Sequence, residues 1–237
     1  MKINIKRESV VEYDIDAEGS TLLELLNRIK TELDPSLSYS SGCRSSVCGS
    51  CAVRANGREV LACSYHAKEG DLIEPLKNSQ VIRDLVVDMD KAYGFNAKAK
   101  AWQSSVTENM LLSHEDEKRN ELQSDCILCG SCYSACPVYA VNSEFLGPFA
   151  LTRVWRYVSD KREQNPQEKI EVIQTNGVWD CTLCNECTLV CPQEISSKAD
   201  IEKLRARSSM LGYVDPKFSS FSDAGGFGFG FDGSPTF

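Results

Sequence analysis

Twelve of the 237 residues are cysteines, and they fall into three groups of four: 43, 48, 51 and 63; 126, 129, 132 and 136; 181, 184, 187 and 191. Thiols two residues apart converge on one point rather than pair off, which speaks for metal before disulfides. A disulfide framework also needs a secretory context, and the N-terminal Met-Lys-Ile-Asn-Ile-Lys-Arg-Glu lacks the apolar core of a signal peptide. Zinc accepts four thiolates, but its usual form is two separated pairs rather than three thiols crowded into one loop and closed by a fourth before proline. Iron-sulfur clusters use every cysteine.

The first group, Cys43-x4-Cys48-x2-Cys51 and then Cys63 after eleven residues, has the plant-type spacing that wraps a [2Fe-2S] centre. Its loop is short and contains Gly49, so backbone amides can turn toward the sulfurs and stabilise the anionic cluster. The other groups repeat one another. Cys126-x2-Cys129-x2-Cys132-x3-Cys136-Pro137 and Cys181-x2-Cys184-x2-Cys187-x3-Cys191-Pro192 match the bacterial two-cluster ferredoxin run, in which the fourth Cys serves the other cluster. The ligand sets are therefore expected to cross: one [4Fe-4S] on Cys126, Cys129, Cys132 and Cys191, the second on Cys136, Cys181, Cys184 and Cys187.

The elements that must position these loops are legible in part. Ile3 and Ile5, then Val11, Tyr13 and Ile15, alternate with polar residues as two strands do. Thr21 and Glu24 form a possible capping box ahead of a helix over Leu22, Leu25, Leu26, Ile29 and Leu33, which Asp34-Pro35 ends. Asn56-Gly57 marks a hairpin between Cys51 and Cys63, and Asp71-Leu-Ile-Glu74 reads as one more strand. Val81, Ile82, Leu85, Val86 and Met89 are spaced as a helix face. Further helices are expected over Val106–Leu122, Phe149–Ser159, Glu168–Gln174 and Lys198–Leu211. The expected class is α+β: a β-grasp plant-type [2Fe-2S] ferredoxin domain over 1–95, a linker over 96–105, and an α-helical bacterial-type two-cluster ferredoxin domain over 106–212. A tail over 213–237 follows, Gly/Phe-rich from Phe218 on, which is either disordered or ordered only against a partner.

With 26 Lys and Arg against 34 Asp and Glu the net charge is −8, and no basic stretch interrupts it, which disfavours nucleic acid. No apolar run reaches the length of a membrane span, so any membrane contact is expected only through partners. No paired carboxylates, Ser-His-Asp set or phosphate loop stands in a convincing context, so no catalytic residue is assigned. His66 and His114 read as surface or packing residues, and Trp155 and Trp179 as packing residues. Glu115-Asp116-Glu117 reads as a solvated helix face. Arg44 reads equally as a contact to the cluster or a flavin subunit and as a plain surface charge.

Ser-Gly-Cys43-Arg44, Val47-Cys48-Gly49-Ser50-Cys51, Leu61-Ala62-Cys63 and Cys126-Ile-Leu-Cys129-Gly130-Ser-Cys132-Tyr-Ser-Ala135-Cys136-Pro137 stand in the order of one family. Over residues 1 to about 212 the sequence resembles the iron-sulfur subunit of the succinate dehydrogenase/fumarate reductase family. The resemblance implies an electron-transfer subunit of a respiratory succinate:quinone oxidoreductase or fumarate reductase, with a link to the tricarboxylic acid cycle. It further implies a flavoprotein partner carrying the FAD and a membrane-anchor or cysteine-rich partner on the other side.

Three positions depart from the quinone-linked pattern. The middle position of the last motif is not Cys in familiar members, which hold a [3Fe-4S] centre there; here it is Cys184, which implies a full [4Fe-4S] of lower potential. A quinone-pocket Trp and His of some members correspond here to Val141 and Thr182. These departures resemble the non-classical branch, in which a heterodisulfide-reductase-like subunit replaces the membrane anchor. A thiol-linked fumarate reductase subunit and a zinc-stabilised scaffold are the alternative readings. Thiolate clusters assemble in a reducing compartment, which favours the cytoplasmic side of the membrane, though a folded subunit could be exported with a partner that bears a signal.

Overall fold

Alternation at the N-terminus folds as a hairpin. In the computed structural model, which describes residues 1–16, 19–104 and 110–218, β1 (Lys2–Lys6) pairs antiparallel with β2 (Val10–Asp14), Ile3 opposite Tyr13. Ile3 and Ile5 point inward and are fully buried, while Lys2 and Lys6 face water. α1 (Leu22–Arg28) begins at Thr21. The Thr21 hydroxyl accepts from the Glu24 amide at 3.3 Å, and the Glu24 carboxylate accepts from the Thr21 amide at 2.8 Å. A π-helical turn over Ile29–Leu33 extends it.

The Asn56-Gly57 turn joins β3 (Ala52–Ala55) to β4 (Arg58–Leu61). β5 (Leu72–Glu74) lies between β1, to which it is parallel, and β3, to which it is antiparallel, giving the order β2-β1-β5-β3-β4. Leu22, Leu25, Leu26 and Ile29 share one core with Ile3, Ile5, Val53 and Ile73. This is the mixed sheet and crossing helix expected of a β-grasp domain.

The helix face expected over Val81–Met89 is instead a small hairpin, β6 (Val81–Arg83) with β7 (Val86–Val87). The apolar spacing is too short to separate helix from strand, and Val81, Ile82, Val86 and Val87 are β-branched. Asp84 turns the hairpin with φ of +49° and is held from outside it. It accepts from Arg7 Nε and from the Ser38 amide, each at 2.8 Å, contacts that periodicity cannot reveal.

α2 (Asp90–Lys98) takes in the start of the stretch read as linker, and Phe95, Ala99 and Ala101 are buried in a second core. Lys169 holds the next turn of chain, donating to the carbonyls of Lys100 at 3.2 Å and Trp102 at 2.6 Å. The helix expected over Val106–Leu122 is two short pieces among the described residues, α3 (His114–Lys118) and α4 (Glu121–Ser124). Residues 106–109 lie outside the description. Ser113 restarts the chain with a capping box on Asp116, and Asn120 breaks it with φ of −139°. Asp116 is therefore not a solvated charge: it caps the helix and pairs with Lys161 at 3.3 Å, while Glu115 and Glu117 are exposed.

α5 (Ser131–Ser134), α6 (Pro137–Val141), α7 (Pro148–Val158), α8 (Pro166–Val172), α9 (Glu186–Leu189) and α10 (Ser197–Met210) complete the helical half. Its core stacks Tyr133 against Phe149 at 4.5 Å and edge-on to Tyr139 at 4.9 Å, beside Val154, Ile170, Ile201 and Leu204. None of the helices among the described residues is long and apolar enough to cross a membrane. The Gly225–Phe231 segment lies outside the described residues.

Candidate metal centres

The loop before β3 is wound so that its amides face sulfur. The amides of Ser45, Val47 and Cys48 donate to Cys43 Sγ at 3.4, 3.3 and 3.3 Å, and the Cys43 amide donates to Cys48 Sγ at 3.3 Å. The Ser46 amide donates to Cys63 Sγ at 3.3 Å. Cys51 leads into β3 and Cys63 follows β4, so the hairpin sets them side by side, the Ala62 amide bonding the Cys51 carbonyl at 3.0 Å. The Ser45 amide, with that of Val47, lowers the Cys43 thiol to about 6, whereas burial pushes Cys51 up to about 11. Amides that stabilise thiolate in the bare protein are the groups an anionic [2Fe-2S] centre requires.

Cys126, Cys129, Cys132 and Cys191 line one cavity with Phe149, Thr152 and Ile195. The fourth member comes from the other repeat. Cys136 has Cys181 and Cys184 as neighbours, and Cys187 has Cys181, Cys136 and Cys184. α5, which carries Cys132, packs against α9, which carries Cys187, so the two sites adjoin. Burial pushes Cys126 up to about 11 and Cys187 up to about 12, and raises Cys129, Cys132, Cys136 and Cys181. Such thiols give up their protons only to bound metal, so this donor set fits iron. Among the described residues no three His, Cys, Asp or Glu side chains converge to hold a single ion. Cluster ligands stand farther apart, because the iron and sulfide fill the space between them.

Around the last site Cys184 and Thr182 are exposed, and Val141 is 88% exposed. His66 lies at the surface with Nδ1 3.3 Å from the Gly19 carbonyl, and His114 is an exposed residue of α3. Trp179 is buried and donates to Gln174 at 2.8 Å, while Trp155 lies under the Lys203 ammonium.

The sequence reading missed the groups behind the cavity. Asp200 on α10 is fully buried, accepts from Gln123 Nε2 at 2.8 Å and lies near Lys203 Nζ at 3.5 Å. Its other oxygen and the buried hydroxyl of Thr152 on the cavity wall make no full hydrogen bond, although Thr152 is near enough to be among the groups that favour the ionised Asp200. The signal was present: Asp200 falls on the inward stripe of α10 with Ser197, Ile201, Leu204 and Ser208. Burial pushes Asp200 up to about 6 against the opposing pull of Lys203 and Gln123. The native chain then keeps this proton to higher pH than the unfolded chain, which loses it near an ordinary value of about 4. Stability therefore falls as pH rises between the two, and the ionised group costs roughly 2–3 kcal/mol at neutrality. Asp200→Asn, which still accepts from Gln123, will raise stability at pH 7.5 by roughly 2 kcal/mol and flatten the acid-side dependence. Anaerobic urea unfolding at pH 5 and 7.5 measures both.

Residues 2–94 match the 2Fe-2S iron-sulfur cluster binding domain family, and residues 122–195 match the 4Fe-4S dicluster domain family. The chain is 35% identical over 229 residues to the fumarate reductase iron-sulfur subunit of Haemophilus influenzae, an alignment covering 86% of this chain and 90% of that protein. The chain belongs to the succinate dehydrogenase/fumarate reductase iron-sulfur subunit family.

A second relative agrees with this placement, and a solved structure agrees with the fold. The 8-methylmenaquinol:fumarate reductase iron-sulfur subunit of Wolinella succinogenes is 37% identical over 212 residues, which is 83% of this chain and 66% of that longer protein. The solved Mycobacterium smegmatis Sdh1 complex in the apo form contains a chain of the same fold, with TM-score 0.79 and 23% identity over 90% of this chain and 97% of that one. One [2Fe-2S] and two [4Fe-4S] clusters fit the two domain matches and the three cysteine quartets.

Proposed function

We propose that this subunit relays electrons from a flavoprotein that carries the FAD to a cysteine-rich, heterodisulfide-reductase-like partner at the membrane side. In this reading Cys43, Cys48, Cys51 and Cys63 hold the [2Fe-2S] centre facing the flavoprotein. Cys126, Cys129, Cys132 and Cys191 hold the middle [4Fe-4S], and Cys136, Cys181, Cys184 and Cys187 hold the last. When bound, these clusters carry single electrons. The observation that carries the reading is their order in space: Gly49 of the first loop packs on Cys129 of the second site, and α5, which carries Cys132 of the second site, packs against α9, which carries Cys187 of the third.

The chain's own residues supply the setting. Amides around Cys43 offset anionic charge, and the buried walls around Cys132 and Cys187 keep water away. Cys184 supports a four-iron last site, whose lower potential suits a metal cluster on the partner better than a quinone. Thr182 and Val141, in place of polar and aromatic pocket residues, support the same partner. The position proposed for the subunit is peripheral, on the cytoplasmic side.

Anaerobically prepared, brown protein is expected to hold about ten irons per chain. A colourless zinc protein, or far fewer irons, would end the relay reading. Affinity purification from the native source is expected to bring down a flavin-bearing chain and a cysteine-rich chain. Assay with quinol against thiol then separates a quinone-linked complex from a thiol-linked one.

A further inference from the structure

The two halves of the chain meet at Gly49. It lies between Cys48 and Cys51 with φ of +72°, and a Cβ there would stand 2.8 Å from Cys129 Cβ and 2.9 Å from both Cys129 Cα and the Ile127 carbonyl. No side chain fits between the first loop and the backbone of the next site. Ile127 and Cys129 accordingly pack against the β-grasp core although they belong to the helical half.

A buried hydroxyl bonds across this approach. Ser134 Oγ, on the helix that carries Cys132, donates to Glu59 Oε1 of β4 at 2.6 Å and accepts from the Lys77 amide at 2.8 Å. Glu59 and Ser134 are both buried, and Arg54 Nε lies 3.6 Å from the same carboxylate, which offsets its charge. Asn78 Nδ2 adds bonds to the carbonyls of Tyr133 and Ser134 at 2.9 and 3.0 Å, and Gln193 Nε2 bonds the Ser46 carbonyl at 3.1 Å. The Ser134 bond is the tightest of these and joins a charged group to a hydroxyl away from water, the setting in which losing one partner costs most.

We infer that electrons cross between the two halves at the Gly49–Cys129 contact, and that the Glu59–Ser134 bond is the positioning pair that fixes its width. The inference rests on the relay reading above. Electron exchange between centres falls exponentially with the gap between their edges, so closely packed backbone at this point is a short bridge from the first loop to the second site. A methyl group on residue 49 must push Cys129 away, since the atoms it meets are backbone and Cβ rather than the end of a flexible side chain. Removing the Ser134 hydroxyl leaves Glu59 without its partner across the seam and frees α5 to shift.

The test uses the full chain with its clusters loaded anaerobically. Gly49→Ala and Ser134→Ala are compared with the parent by iron content, by the power saturation of the reduced [2Fe-2S] resonance beside the reduced middle cluster, and by electron redistribution after pulse reduction. Both variants are expected to keep their iron, to lose much of the relaxation enhancement, and to redistribute electrons several-fold more slowly. Ser134→Thr, which keeps the hydroxyl, is expected to restore both readings. Parental relaxation and rate in both alanine variants, at full iron content, overturn the inference. If Gly49→Ala loses its [2Fe-2S] centre, Ser134→Ala alone decides. A parent protein lacking three clusters, or showing no magnetic interaction between them, fails the relay reading instead.

Discussion

Replacing Cys184 by valine is expected to turn one four-iron centre into a three-iron centre and to leave the other two clusters as they were. Cys184 is exposed and lies among Cys136, Cys181 and Cys187, so valine at this position removes a thiolate without opening a buried cavity. The remaining three thiolates suffice for three irons. Loss of a negative ligand and an iron shifts the potential of that centre upward. Electron paramagnetic resonance of the oxidised variant is expected to show a new signal of the [3Fe-4S] type, absent from the parent, together with loss of about one iron per chain. An unchanged spectrum would strike Cys184 from the ligands and with it the argument for a low-potential exit.

Lys169→Met is expected to be strongly destabilising although it conserves side-chain size. The Lys169 and Glu163 side chains are 1% and 0% exposed and lie 3.4 Å apart. The ammonium also bonds the carbonyls of Lys100 and Trp102, while Glu163 accepts from the amides of Ser104 at 3.0 Å and Asn165 at 2.8 Å. Methionine fills the space but leaves a buried carboxylate without its counter-charge and two carbonyls without their donor, for which a loss of about 3–5 kcal/mol is expected. The double variant Lys169→Met/Glu163→Gln should recover a large part of that loss, because no buried charge remains. Although burial alone would raise Glu163, the Ser104 hydroxyl and amide, the Asn165 amide and Lys169 together hold it below the ordinary carboxylate range. The stabilisation it contributes is therefore present above that range and fades as pH falls through the lowered value. Anaerobic urea titrations of the parent and the single and double variants give the free energies.

The chemistry was readable in the sequence because cysteine spacing states it directly: a loop of fixed length allows its thiols few arrangements. The strands β1 to β5 and the capped helix α1 were readable for a similar reason, since alternation, an Asn-Gly turn and a capping box are local signals. Where a contact from elsewhere decides the structure, the local pattern failed. Arg7 and Ser38 fix the Asp84 turn, and a strand pair replaces the expected helix. Asp116 reads as a surface charge until Lys161 and Ser113 are seen around it. Glu59, Ser134 and Gln193 carry no local mark at all; their meaning arises where two separately folded surfaces meet.

Cys191 shares a cavity with Cys126, Cys129 and Cys132, and this sets the order in which the protein can be built. During synthesis the β-grasp half is complete before the second repeat has left the ribosome, whereas the pocket opened by Cys126 stays one wall short until the chain has reached Cys191. In the relay reading the helical half then fills as one interlocked unit, and a shortage of iron is expected to leave chains with either a finished helical half or an empty one, and few in between.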